Sequence, residues 1–320
     1  MRNILEDEER LQEIVKCAVL YSKDKKNVDI AEALNISAVR VTRNIADAKK
    51  LGILKIEVHP PPEVAVAEEL EKKYNLREVY VFHIGVADEV MSMLAKLTAD
   101  YLEKLLDDDE KEIKCVAIGP GRTTSAFVRA LSDAERPGII IGSTTSATSI
   151  ETYIASNTLI GIASGKWRCD SRRFDTKMSI EEQKAYADVF VLGVGRIYDM
   201  GGVTALALFS ETDIHRELLE KELHSLAGRG GVGIINYQPI DEEGTPLDWD
   251  LKQYRKALEP TLLKLDVIRE IAKDKSKRVV CIASNNGKAD AIRAGLKGGY
   301  FNVLITDYET AKELVEQEDG

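Results

Sequence analysis

The sequence predicts an α/β protein with a small helical module ahead of it. Three observations predict this. Three short helical patterns fill the first 51 residues, and a proline run at Pro60-Pro61-Pro62 interrupts the chain just beyond them. From there to the end, short apolar strands alternate with Gly- or Thr-rich loops and amphipathic helices. Strands covered by helices on both faces read as continuous apolar runs, and such units stack into a doubly wound parallel sheet.

Residues 8–21 put Leu11, Ile14, Val15, Ala18 and Val19 on one helical face, with Tyr21 near the end. The polar turn from Ser22 to Asn27 ends that helix. A second helix, Val28 to Leu34, offers Ile30, Ala31 and Leu34 for burial. In Asn35-Ile36-Ser37, asparagine tolerates the left-handed backbone of a tight inter-helix turn and serine is a good N-cap. The third helix, Ala38 to Leu51, packs Val41, Ile45 and Ala48 inward and projects Arg40, Thr42, Arg43 and Asn44 elsewhere. Gly52 stops it, and Ile53 to Val58 alternates like the strand of a wing. The small Ala31, the turn residue Asn35 and the apolar Val41 have the spacing of a helix-turn-helix, whose second helix enters the major groove of DNA. Arg40 is then the expected base contact, because arginine can hold guanine through two hydrogen bonds. Ser37, Ala38, Thr42 and Arg43 complete the expected DNA-binding set, with Ser37, Thr42 and Arg43 on the phosphate backbone. A helical bundle without a nucleic-acid role also fits the periodicity.

Charge supports the DNA reading. The 320-residue chain has a formal net charge of −10, yet Lys23 to Lys55 holds eight basic residues against four acidic ones. A basic module on an acidic body suits a protein that meets phosphate at one end. The predicted organisation is residues 1–58 for the helical module, 59–63 for the linker, and 64–320 for the α/β domain. No run approaches the roughly 18 apolar residues of a membrane helix, and the start MRNILEDEERL lacks a secretory h-region. The expected location is therefore the cytoplasm. Cys17, Cys115, Cys169 and Cys281 are spread without a CxxC pair, and the four histidines do not cluster with them. Reduced thiols are expected, with no metal and no cofactor.

In the α/β part, the expected helices are Val64–Tyr74, Asp88–Leu106, Thr123–Ser132 and Lys288–Leu296, with a last helix after Asp307. The expected strands are Glu78–His83, Lys114–Ile118, Ile139–Ile141, Asp188–Val194, Arg278–Ala283 and Asn302–Ile305. Ligands of such sheets bind beyond the carboxyl ends of the strands. That rule gathers the loops at 119–124, 142–145, 193–196, 284–288 and 306–307 into one crevice. Gly119, Gly121, Arg122, Thr123 and Thr124 precede a helix, where free N–H groups, the dipole and threonine hydroxyls favour an anion. Ser143, Thr144 and Thr145 offer further hydroxyls, and Lys288 a positive charge. The loop is neither a Walker loop nor GxGxxG, so a nucleotide is not indicated. Taken singly, each loop is equally an ordinary strand-to-helix turn.

Five segments together resemble the SorC/DeoR-type sugar-binding transcription regulators over nearly the whole chain. They are IAEALNISAVRVTRNIADAKKLGILKI, GPGRTTSAFVRAL, ADVFVLGVGRI, GVGIINYQPIDEEGTPLD and VVCIASNNGKADAIRAGLKGGYFNVLITDYETAKELV. The resemblance implies a winged helix-turn-helix joined to an effector domain related to phosphosugar isomerases and deaminases. It further implies a homotetramer that regulates a carbohydrate-utilisation operon and whose affinity for operator DNA is switched by a sugar phosphate. Thr123, Thr124 and Lys288 would then hold the effector, and Asn157 would join them. The chain departs from the family at Ile140 to Thr145, where a Gly-Gly loop is usual, and across Gly165 to Arg173. Lys166 and Arg168 in the latter stretch either reach the ligand or lie on a subunit surface.

Two other readings stay open. A phosphosugar isomerase or deaminase needs a general base and acid converging on its substrate. No short acid–histidine constellation stands out, and His215 sits in the surface-like helical pattern ETDIHRELLEKELH. A constitutive DNA binder with a vestigial crevice is the other.

Overall fold

The computed structural model describes residues 8–56, 59–108, 110–146, 154–197, 213–250, 261–284 and 287–316, with residues 213–220 described by backbone alone. The chain divides into two compact units, Met1–His59 and Pro60–Gly320.

The first unit holds α1 (Glu8–Tyr21), α2 (Asn27–Leu34) and α3 (Ala38–Lys50). Its core is formed by Cys17, Ile30, Val41 and Ile45, continued by Ile14, Ala18 and Ala48. The turn between α2 and α3 is built as its sequence requires. Asn35 takes the left-handed conformation (φ 52°, ψ 46°), and the Ser37 side chain accepts the Arg40 N–H at 3.2 Å. Gly52, at φ +73°, carries the chain out of α3.

Three expectations change. The α1 core face is centred on Ile14, Cys17 and Ala18, while Val15 and Val19 are 39% and 47% exposed. Asn44 does not project outward. It is buried, donating to Glu13 Oε1 at 2.7 Å and to Cys17 Sγ at 3.4 Å. Ile53 to Ile56 form no strand, since Leu54 turns down onto the helices while Ile53 and Ile56 stay exposed. Residues 57 and 58 of the expected wing lie outside the described residues.

The second unit is a doubly wound sheet. Its elements run α4 (Val64–Tyr74), β1 (Glu78–Phe82), α5 (Val90–Leu106), β2 (Cys115–Ile118), α6 (Arg122–Ala130), β3 (Ile140–Ser143), α7 (Ser156–Trp167), β4 (Asp170–Arg172), α8 (Ile180–Lys184) and β5 (Val189–Arg196). They continue with α9 (Asp213–Gly228), β6 (Gly231–Ile235), β7 (Gln238–Asp241), α10 (Leu265–Lys273), β8 (Arg278–Ile282), α11 (Ala289–Lys297), β9 (Val303–Asp307) and α12 (Tyr308–Glu316). A 3-10 turn at Ala87–Glu89 leads into α5. The expected helices and strands are present, with ends that coincide or shift by one or two residues. The sequence reading did not anticipate α7, β4, α8, β6, β7 or α10.

The strands lie in the order β1-β9-β8-β5-β2-β3-β4, with every neighbouring pair parallel. Alternate residues of a strand face opposite sides. Val189 and Val191 of β5 therefore join Phe127 and Trp167 in one core, and Phe190, Leu192 and Val194 join Ile268 and Ile292 in the other. The chain winds from β2 toward β4, then returns to β5 on the other side of β2. The β2–β5 border is thus the topological switch point, where the loops leaving the strands diverge and open a crevice. Beyond its neighbours, β5 continues into an antiparallel ribbon with β6 and β7. Asn236 and Tyr237 form the two-residue turn of that hairpin, both at positive φ (46° and 64°), the backbone of a type I′ turn.

Candidate functional site

A crevice opens where the fold requires it. Pro120 to Thr124 from the β2–α6 loop, Gly193 to Gly195 from β5, and Lys288 at the head of α11 line it, together with Ile154, Ile234, Asn236 and Tyr237. Its empty volume, open solvent included, is about 670 Å³.

Gly121 is the N-cap of α6 and has no side chain to cap it. The amides of Arg122, Thr123 and Thr124 therefore lack acceptors within the helix and head a positive dipole end. At φ 139° and ψ 168°, Gly121 occupies a region essentially restricted to glycine. Its N–H donates to the Ile154 carbonyl at 3.1 Å, which ties the loop to the segment before α7. Thr124 is buried, and its hydroxyl donates to the Gly121 carbonyl at 3.0 Å. Across the crevice, Arg196 donates to the Gly287 carbonyl at 3.3 Å and so holds the loop from which Lys288 starts α11. Arg122 and Lys288 are the charged residues among the lining, and both are cationic.

The structure brings Gly121, Arg122, Thr123, Thr124 and Lys288 together from the expected set. Ser143, Thr144 and Thr145 are fully buried and do not line the crevice. Ser143 Oγ accepts the Phe174 N–H at 2.9 Å, and Thr144 pairs with Asn236. These hydroxyls fasten the sheet to its cover, because β3 lies one strand beyond the switch point. Gly119 lies beneath the lining and donates to the Val191 carbonyl at 2.9 Å. Asn157, in the first turn of α7, has a buried Oδ1 without a hydrogen-bond partner among the described residues, and it does not line the crevice. Thr306 and Asp307, expected in a crevice loop, instead end β9 and are also not part of the lining. Thr306 donates to the Ala283 carbonyl and Asp307 caps α12, two strands away from the switch point. Asn285 and Asn286 lie outside the described residues. Lys166 donates to the Leu131 carbonyl and Arg168 pairs with Glu135, both away from the crevice.

Sequence reasoning missed Ile154, Ile234, Asn236 and Tyr237. A two-residue gap between GVGII and QPI was the available signal for the hairpin. The Tyr237 side chain is 5% exposed, and its hydroxyl has no hydrogen-bond partner among the described residues. Burial pushes that hydroxyl's pKa up, so it stays protonated as a donor.

In the first unit, Ser37, Ala38, Arg40, Thr42 and Arg43 are all exposed on the first two turns of α3. Arg40 is drawn to one side. Its Nε donates to Glu13 Oε1 at 2.7 Å, on a carboxylate that also pairs with Arg10 at 3.3 Å. The Thr42 hydroxyl donates to the Ala38 carbonyl at 3.1 Å and accepts from Asn27 at 3.2 Å. Val39, which sequence reasoning passed over, is 80% exposed.

A parallel α/β sheet whose switch point opens onto an uncapped helix N-terminus and a lysine is the scaffold of a small-molecule-binding domain. The chain belongs to the Sugar-bind family, described as "Putative sugar-binding domain", whose model matches residues 62–316. Its relatives are named transcriptional regulators. The deoxyribonucleoside regulator of Bacillus subtilis (strain 168) is 25% identical over 333 residues, covering 97% of this chain and 99% of its own. The erythritol catabolism regulatory protein EryD of Brucella abortus (strain 2308) is 23% identical over 310 residues, covering 91% and 92%. Among solved structures, the full-length sorbitol operon regulator SorC from Klebsiella pneumoniae superposes with a TM-score of 0.63 at 20% identity. That match covers 96% of this chain and all of the other. A DeoR family transcriptional regulator from Listeria monocytogenes gives 0.61 at 20% identity over 78% of this chain and 98% of its own. These likenesses establish the shared fold.

Proposed function

We propose that this protein is a transcription regulator of a carbohydrate-utilisation operon, binding duplex DNA through its first unit and a phosphorylated sugar in the crevice of its second. The observation that carries the reading is the uncapped start of α6, facing a lining whose charged members are Arg122 and Lys288. Such a site favours a dianion, and the hydroxyls of Thr123 and Tyr237 suit a polyol. The first unit acts as a helix-turn-helix, with α3 as recognition helix and Ser37, Ala38, Arg40, Thr42 and Arg43 near the duplex. The regulator works in the cytoplasm as a homotetramer, and residues 59–63 join its two domains.

The described lining carries no carboxylate or imidazole, which favours a sensor over an isomerase. The deciding experiment measures Tm of the full chain with sugar phosphates, the matching free sugars and inorganic phosphate, then titrates DNA with each stabilising compound. A sugar phosphate should raise Tm by mass action and change DNA affinity without being converted. Turnover of the ligand, or a Tm rise with no effect on DNA binding, would overturn the reading.

A further inference from the structure

On an α-helix each residue advances the side-chain direction by about 100°. The buried stripe of α3 is Val41, Asn44, Ile45 and Ala48. The direction opposite that stripe is occupied by Val39, Arg43, Ala46 and Lys50, spaced i, i+4, i+7 and i+11, and all are exposed. Arg40 lies about 100° from Val41, on the flank facing α1, where Glu13 holds its guanidinium. Thr42 lies on the other flank and is engaged by Asn27 and by its own helix.

Resting on the DNA-binding reading above, we propose that Val39 and Arg43 are the specificity-determining residues of α3, while Arg40 contacts the phosphate backbone. The roles of the two arginines are thereby exchanged relative to the sequence-based expectation. A valine left 80% exposed at the second position of a helix has nothing within its own unit to cover it. In a major groove the matching surface is the thymine methyl, the apolar feature of the base edges. Arg43 stands one turn further along the same face, with its fork available for a guanine in a neighbouring base pair. Arg40, tethered sideways, reaches toward the wall of a groove rather than its floor. The ligand class is therefore duplex DNA with a thymine and a nearby guanine in each half-site.

The test selects duplexes from a randomised library with the full wild-type chain, then titrates the enriched duplex by fluorescence anisotropy. Replacing one thymine by deoxyuridine should weaken wild-type binding about fourfold, the worth of one buried methyl group. Val39→Ala should cost a similar factor on the thymine duplex, and on that variant the uracil replacement should have no further effect. Arg43→Ala should relax selection at one guanine position by about tenfold or more. Arg40→Ala should weaken all duplexes alike and lower the slope of log affinity against log salt by about one unit. The proposal is overturned if no uracil replacement matters to the wild type, or if Arg40→Ala rather than Arg43→Ala changes the preferred base. The uracil arm uses unaltered protein, so no folding defect can account for its result. A wild-type chain that enriches no sequence at all would overturn the DNA-binding reading together with this proposal.

Discussion

Thr144 and Asn236, separated by 92 residues in the chain, close a reciprocal buried pair. The threonine hydroxyl donates to Asn236 Oδ1 at 2.7 Å, and Asn236 Nδ2 donates back to the Thr144 carbonyl at 3.3 Å and to the Leu263 carbonyl at 3.0 Å. The pair pins the β6–β7 turn to the end of β3, and that turn is one wall of the crevice. Asn236→Ala should leave buried partners unsatisfied and cost about 1–3 kcal/mol. Its left-handed backbone adds a further penalty for alanine. Urea denaturation reads the loss, and sugar-phosphate affinity should fall with it. Unchanged stability would mean that water replaces the pair without cost.

Gly121 tests the anion cradle separately. A Cβ there would meet only ordinary contact, 3.5 Å from Thr124 Oγ1, so the backbone alone resists substitution. Gly121→Ala should cost about 1–3 kcal/mol by forcing an alanine into a glycine region. Calorimetry with a sugar phosphate should show weakened binding. Full affinity with intact stability would show that the loop relaxes freely.

Lys288→Ala should remove the response to a sugar phosphate while DNA affinity without effector stays at the wild-type value. Anisotropy titrations with and without the compound separate the two. Loss of both would instead indicate an unfolded chain, which circular dichroism would reveal.

Glu13 links stability of the first unit to pH. Burial pushes its carboxyl up, but hydrogen bonds from Asn44 and Arg40 and the charges of Arg40 and Arg10 outweigh that and leave its pKa below the usual value. A depressed carboxyl pKa contributes stability that is present above the unfolded value and lost as pH falls through the folded one. Glu13→Gln should therefore weaken hydrogen-exchange protection of residues 8–50 at neutral pH, and the difference from wild type should shrink in acid. A difference that persists in acid would assign the effect to packing.

The extent of the fold legible in the sequence follows local contrast. The segments KCVAI and RVVCIA stand out because strands covered on both faces must be uniformly apolar, and EVYVFH because the edge strand β1 alternates half-buried and buried residues. The crevice was legible because strand-end loops carry its glycines, threonines and lysine. The segment Ser156–Trp167 was not, since SNTLIGIASGKW has apolar and small residues on every side and shows no periodic stripe. The ribbon from Gly231 to Asp241 was hidden by short, glycine-rich strands. Ser143, Thr144 and Thr145 read as ligand hydroxyls because a sequence does not reveal which polar side chains are answered by partners far along the chain. The same blindness applies to Arg40, whose lateral tether comes from Glu13, 27 residues earlier.

The crevice draws on residues from Pro120 to Lys288, whereas the first compact unit ends at His59. Ribosomes deliver a chain from its N-terminus, and domains fold as units as they emerge. Under the proposed function, the operator reader is then complete long before the sensor that governs it. A message truncated ahead of codon 288 would release a protein that retains the reader and lacks the lysine of its ligand site. Nonsense mutations late in the gene would accordingly leave a reader whose second unit lacks α11, β9 and α12, the strand that joins β1 to the sheet among them.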